Sequence, residues 1–245
     1  MKETPRMNLD GAELDILDWA MRHRPHWAKT AIDAWDENRL QALMPFVRSH
    51  YWSDRHSVNV FSVVGTAHPD YAGLTWEQFL RTGKRMSANQ ALLRSNPAYY
   101  FDTGVKHPSM LYISLNGKHW YVNGDGNHRT CLARFHFSRP NAQGFGTQTM
   151  VHGVTVDDYR VDWKLYDVFL KLKEAVRLRK EGEAVEGYRY HTGREDGPAW
   201  KIDRYDPQLR FIDSRGREHL LDHDGARERL ARLGKPIKDL LRWLK

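Results

Sequence analysis

The chain has 245 residues, of which 40% are hydrophobic and 12% aromatic, enough to build a packed core and to exclude a wholly disordered chain. Its 38 basic against 31 acidic residues leave a formal charge of +7, a balance that favours polyanions such as nucleic acid or nucleotides. The single cysteine, Cys131, excludes an internal disulfide framework and a cysteine-based zinc site.

The first fifty residues read as helical, with Asp10 as a cap and Leu14, Leu17 and Trp19 recurring before Pro25. Pro25 is placed to start a second helix through Trp27, Ile32 and Trp35, and Leu40, Leu43, Phe46 and Val47 continue the spacing toward Trp52. The β-branched run Val58–Val64, bounded by Gly65, predicts a strand. Thr75-Trp76-Glu77-Gln78 has the form of a capping box for a short helix ending at Gly83, and Ser87 is placed to cap the next. Met110–Leu115, Asn116-Gly117 and Lys118–Val122 then predict a hairpin. Cys131–Phe135 reads as a helix and Gln148–Val154 as a strand. Asp157 to Lys180 reads as a long helix that turns basic, with Asp157-Asp158 stabilising its start. After Gly182, short alternating segments around Tyr188–Tyr190, Ala199–Ile202, Leu209–Ile212 and Glu218–Leu221 predict an antiparallel meander. The last twenty-one residues, 225–245, carry seven Arg or Lys against Glu228 and Asp239. Their apolar spacing predicts amphipathic helices broken at Gly234-Lys235-Pro236. No apolar run reaches the roughly 18 residues of a membrane helix, and the opening Met1–Pro5 lacks the apolar core of a secretory signal. The sequence therefore predicts a cytoplasmic protein with no membrane partner.

The segment Asn123–Thr130 is where the sequence concentrates chemistry. A return strand delivers two glycines, an Asp, an Asn, a His and an Arg to a helix start. Glycine admits positive φ and close approach of a ligand, and a helix start offers unpaired N–H groups and the positive end of the dipole. This pattern predicts phosphate binding by Gly124, Gly126, Asn127, His128, Arg129 and Thr130. Arg129 would stabilise developing charge, His128 would act as acid/base or phosphate donor, and Asp125 would orient water, hold Mg²⁺ or cap the helix. The plainer alternative is an Asx-type turn with His128 and Arg129 in solvent.

These residues resemble the signature of the ParB/sulfiredoxin superfamily. Gly126-Asn127-His128-Arg129 fits the first four positions of the Gly-x-x-Arg-x-x-Ala box of ParB-type proteins, with Leu132 at the small-residue position and Ala133 one step later. His128 and Arg129 align with the His-Arg of the sulfiredoxin Gly-Cys-His-Arg box, where Asn127 stands in place of the cysteine. The resemblance spans Val58 to Val154. It implies an α+β, ParB/sulfiredoxin-like central domain whose turn and helix start bind the phosphates of ATP or CTP, without sulfinic acid reduction. The box is also similar to plasmid members of the oncogenic-suppression type, described as ATPases and DNases. That implies nucleotide hydrolysis, Mg-dependent DNA cleavage, or a partner in a conjugation or partition system.

The expected organisation is an N-terminal helical segment, 1–55, the phosphate-binding domain, 56–182, and a C-terminal meander with basic helices, 183–245. Arg232, Lys235, Lys238 and Arg242 are the expected DNA-contacting residues. His50, His56, His68, Asp54 and Asp70 match no compact metal spacing and read as structural or surface residues. His219, Asp222, His223 and Asp224 read as a polar turn with a helix cap, Lys171–Lys180 as a solvated helix face, and Cys131 as a small core residue. The rival to an enzyme is a non-catalytic DNA-binding or protein-interaction module that uses nucleotide as a switch.

Overall fold

The computed structural model describes residues 15–139 and 148–243, and the side chains of the last helix only as far as 233. The cap expected at Asp10 lies outside these residues. Asp15 instead starts α1 (Ile16–His23), accepting the Leu17 N–H at 2.9 Å. Pro25 leads into one 3-10 turn, His26–Lys29, rather than a helix. The Thr30 hydroxyl bonds back to the Trp27 carbonyl, and the chain passes to a two-residue strand, β1 (Asp33–Ala34). α2 (Glu37–Leu43) is capped by Asp36, and Pro45 sits in the 3-10 turn that ends it. The helical spacing stops there. β2 (Val47–Asn59) carries Val47, Tyr51, Trp52 and Val58, β-branched and aromatic residues that lose more in a helix than in a half-buried strand. The strand expected at Val58–Val64 is interrupted because the Asn59 side chain accepts the Phe61 N–H, making a turn before β3 (Val63–Thr66).

α3 (Trp76–Thr82) begins with the full capping box of Thr75 and Gln78 and stops at Gly83. α4 (Met86–Ser95) follows, with Arg85 rather than Ser87 at its N-cap. β4 (Leu111–Leu115) and β5 (Trp120–Val122) flank Asn116 and Gly117, whose φ angles of 70° and 66° suit a type I′ hairpin turn. α5 (Asn127–Phe137) follows directly. β6 (Met150–Val161) extends well past the expected end, because Val151, Val154, Val156 and Val161 are each buried. Asp157-Asp158 therefore lie on a strand, and α6 (Trp163–Arg179) is capped by Asp162, which accepts the Leu165 N–H at 3.0 Å.

β7 (Ala184–Gly197), β8 (Trp200–Ile212) and β9 (Glu218–Leu221) form the expected antiparallel meander, with two long strands in place of three short segments. α7 (His223–Trp243) runs through Gly234-Lys235-Pro236 without a break. The spacing of Leu230, Leu233, Ile237 and Leu240 keeps one helical register across that triplet, which outweighs its stop signal. Among the described residues, helices and strands thus form a mixed α/β architecture. Its nine-stranded sheet is ordered β1-β3-β5-β4-β6-β2-β8-β7, with β9 on β8.

The chain divides into two compact units. The first contains the residues up to Trp35, Arg55–Tyr112 and Trp120–Thr155. Its β3 pairs in parallel with both β1 and β5. Trp76, Phe79, Leu80, Met86, Tyr112, Leu132 and Phe135 fill its core. Arg134 is buried there at 5% exposure. Its Nη1 donates to the carbonyls of Val60 and Val63, and its guanidinium lies 4.7 Å and 4.2 Å from the ring centroids of Trp27 and Trp76. Burial holds its pKa down at about 10. The second unit contains Asp36–Asp54, Ile113–His119 and Val156 onward. Phe46, Val47, Leu165, Leu172, Leu209 and Phe211 form its core. β8 pairs with β2 from Ser49 to Ser53, and Gly187 leaves room for Phe46, whose ring a Cβ would meet at 2.7 Å.

Candidate anion site at the start of α5

The α5 start lies at the carboxyl ends of two parallel strands, β3 and β5, where open α/β sheets gather ligands. Gly124 and Gly126 take φ angles of 100° and 112°, and a Cβ on Gly126 would stand 3.2 Å from the Met110 backbone. The turn is held by the Asn123 N–H donating to Leu111 O at 2.9 Å and the Leu111 N–H donating to Asp125 O at 3.0 Å. Its buried side chains look inward. Asn127 Oδ1 accepts from Thr66 Oγ1 at 2.6 Å and its Nδ2 donates to Gly124 O, while the Thr130 hydroxyl bonds Tyr112 Oη at 2.8 Å. Asn127 and Thr130 thus shape the turn and carry no exposed polar group toward a ligand.

No side chain caps α5, and the first intrahelical bond runs from Thr130 N–H to Gly126 O. The amides of Asn127, His128 and Arg129 are therefore the donors that this helix start offers to an anion. His128 stands beside them, half-buried among Tyr71 and Phe79 at ring distances of 5.4 Å and 5.1 Å. Its Nε2 accepts the Arg85 N–H at 3.3 Å, which in the neutral ring leaves the proton on Nδ1. Burial, with Arg85 and His68 adding to it, lowers its pKa below the ordinary value.

Arg129 departs from its expected part. Its side chain is 11% exposed and its terminal nitrogens are spent within the protein. Nη1 donates to Tyr99 Oη at 2.8 Å and to Pro108 O, while Nη2 donates to Ser109 O at 2.9 Å and to Asp125 Oδ2 at 2.9 Å. A guanidinium has two N–H on each terminal nitrogen, so these four partners leave only Nε. Asp125 is paired in turn, and its other oxygen accepts the Gly126 N–H. Arg129 and Asp125 tie the 99–109 segment to the helix start.

No family model, curated protein or solved structure matches the chain.

The other sequence-derived candidates fall into ordinary structural roles. His50 bonds Asp157 at 2.7 Å, Asp158 pairs with Arg160, and the Asp222 carboxylate accepts the Gly225 N–H. His219 joins Arg217 around Asp213, whose carboxyl is held well below its usual range, first by the Arg217 backbone N–H. Lys171 and Arg177 pair with Asp167 and Glu174 on the exposed face of α6. Cys131 is fully buried, and burial pushes its thiol up. Arg232 is exposed and lies 3.4 Å from Glu228, whereas the side chains of Lys235, Lys238 and Arg242 lie outside the described residues. Among the described residues no three His, Cys, Asp or Glu side chains converge as metal ligands, and the Asp125 carboxylate is shared with Arg129.

Several residues that build the site carried no local signal. Thr66 joins it through Asn127 and also accepts the His68 N–H at 2.9 Å. His68 stacks on Tyr71 at 4.2 Å, and Tyr99, Tyr112 and Arg85 complete the surroundings. Thr66 lies 61 residues from Asn127, so only the parallel pairing of β3 with β5 reveals it.

Proposed function

We propose that this chain is a ParB/sulfiredoxin-like nucleotide-binding protein whose α5 start receives the phosphates of ATP or CTP. The carrying observation is an uncapped helix start at the ends of two parallel strands, led in by a turn with two positive-φ glycines. Binding is favoured over hydrolysis. Asp125 and Arg129, which the hydrolytic reading needs, are engaged with each other and with backbone carbonyls. The nucleotide then acts as a switch ligand for a module that works on DNA in partition, regulation or transfer inhibition. The formal charge of +7 supports a polyanionic partner. The observation behind a second reading, hydrolysis or Mg-dependent DNA cleavage, is His128 beside the helix start, whose Nε2 becomes a proton acceptor once its single 3.3 Å bond from the Arg85 N–H opens.

The test is a calorimetric titration of ATP and CTP into the wild-type chain and Gly126→Ala, paired with plasmid nicking with and without EDTA. Saturable binding, weakened about tenfold or more in a folded Gly126→Ala, is expected, because the added Cβ meets Met110 and strains the φ of 112°. Absence of binding by the wild type refutes the reading. EDTA-sensitive nicking in preparations of the wild type but not of Gly126→Ala replaces the switch with the enzyme.

A further inference from the structure

A recess of about 260 Å³ opens beside α5 within the first unit. Its walls are apolar, formed by Leu92 and Leu93 of α4 with Tyr99, Tyr100 and Pro108. The two tyrosine rings meet edge to face, with centroids 5.2 Å apart at 84°, and so make a square corner. Burial raises the Tyr100 phenol, which keeps it a neutral hydroxyl. Arg129 also lines the recess, but its terminal N–H groups already serve Tyr99, Pro108, Ser109 and Asp125. The recess therefore brings little free charge to a ligand.

The His107 imidazole and two carboxamides supply its polar character. Asn89 Nδ2 donates to Arg85 O at 2.8 Å, which leaves its Oδ1 as an acceptor. Asn96, at the exposed rim, has no side-chain hydrogen bond among the described residues and offers two donors and an acceptor. An aliphatic chain settling on Leu92, itself 65% exposed, would cover these amides and leave them unpaired. A flat ring with N–H and acceptor groups on its edge satisfies both the walls and the amides. The volume falls below the roughly 300 Å³ at which drug-sized sites begin, and so suits one ring system.

We propose that this recess binds an uncharged planar heterocycle of the nucleobase kind, its faces against the apolar walls and its edge on Asn96 and Asn89. The heterocycle is either the base of a nucleotide whose phosphates occupy the α5 start, which rests on the reading above, or a free nucleoside. The test titrates the four ribonucleosides, their 5′-triphosphates and inorganic phosphate into the wild type, Asn96→Leu and Leu92→Trp. Both substitutions lie at exposed positions, and thermal unfolding checks that the fold is kept. Binding of a nucleoside that weakens about tenfold in Asn96→Leu, the worth of one well-made hydrogen bond, supports the proposal when phosphate binding is unchanged. A triphosphate that binds more tightly than its nucleoside identifies a nucleotide, and equal affinities identify the free nucleoside. Unaltered affinity in both variants, or no nucleoside or nucleotide binding at all, overturns it. Nucleoside binding without any binding of phosphate leaves the recess standing and removes the phosphate reading.

Discussion

Arg129→Ala is expected to fail first as a folded protein and only second as a ligand-binding one. The substitution deletes four hydrogen bonds made by a side chain that is 11% exposed, and two of their acceptors are main-chain carbonyls of the 108–109 segment. Four hydrogen bonds from a charged donor, at about 1 kcal/mol each and with Tyr99 and the two carbonyls left without their donor, make the loss about 3–5 kcal/mol. For a chain of this length that lowers the thermal midpoint by roughly 6–20 °C. Asp125→Asn makes the contrast. Its carboxylate is 59% exposed, so solvent screens the pair and the cost is about 0–1 kcal/mol. Urea and thermal unfolding of Arg129→Ala, Arg129→Lys and Asp125→Asn measure the difference directly. Arg129→Lys recovers only part of the stability, since an ammonium cannot span four acceptors set by a planar fork. If Arg129→Ala melts with the wild type yet loses all affinity for nucleotide, the guanidinium is a ligand clamp and the structural argument is wrong.

Two further outcomes follow from the same geometry. Thr66→Val removes the hydroxyl that donates to buried Asn127 Oδ1 and accepts the His68 N–H, and is expected to cost about 2–4 kcal/mol in urea unfolding. Pairing it with Asn127→Leu in a double-mutant cycle should show the two losses to be strongly non-additive; additive losses would mean that the bond contributes nothing. His128, with its pKa depressed in the fold, makes the unfolded chain bind more protons as pH drops below the ordinary histidine value of about 6.5. Stability therefore declines from that point down to the lowered folded value, and His128→Gln is expected to flatten this part of the pH–stability curve. A curve of unchanged slope in the variant would assign the proton uptake elsewhere.

Signals carried by neighbouring residues were legible in the sequence. The capping box at Thr75, the Asn116-Gly117 turn and the glycine-led start of α5 each depend on contacts within four residues, and the structure has all three. What the sequence concealed was the destination of Arg129. Its partners Tyr99, Pro108 and Ser109 lie 30, 21 and 20 residues away. A guanidinium that grips loop carbonyls reads, in one dimension, like one that awaits a phosphate. Asp157 and Asp158 misled for a related reason. Two acids before an apolar stretch resemble a helix start, but buried valines keep β6 extended until Asp162, where the true cap stands. His50 lies 107 residues from Asp157, so that pairing too was beyond local reading.

The aromatic cage around Arg134 has a mechanical consequence. α5 is riveted at both ends, by Arg129 to the 99–109 segment and by Arg134 to the carbonyls on either side of the β3 entry, so sliding or rolling it would tear out two cations at once. The helix behaves as an anvil. Any shape change that follows ligand capture must then be sought in lighter parts, above all α4, whose preceding residue Arg85 is latched to His128 by one long, exposed hydrogen bond.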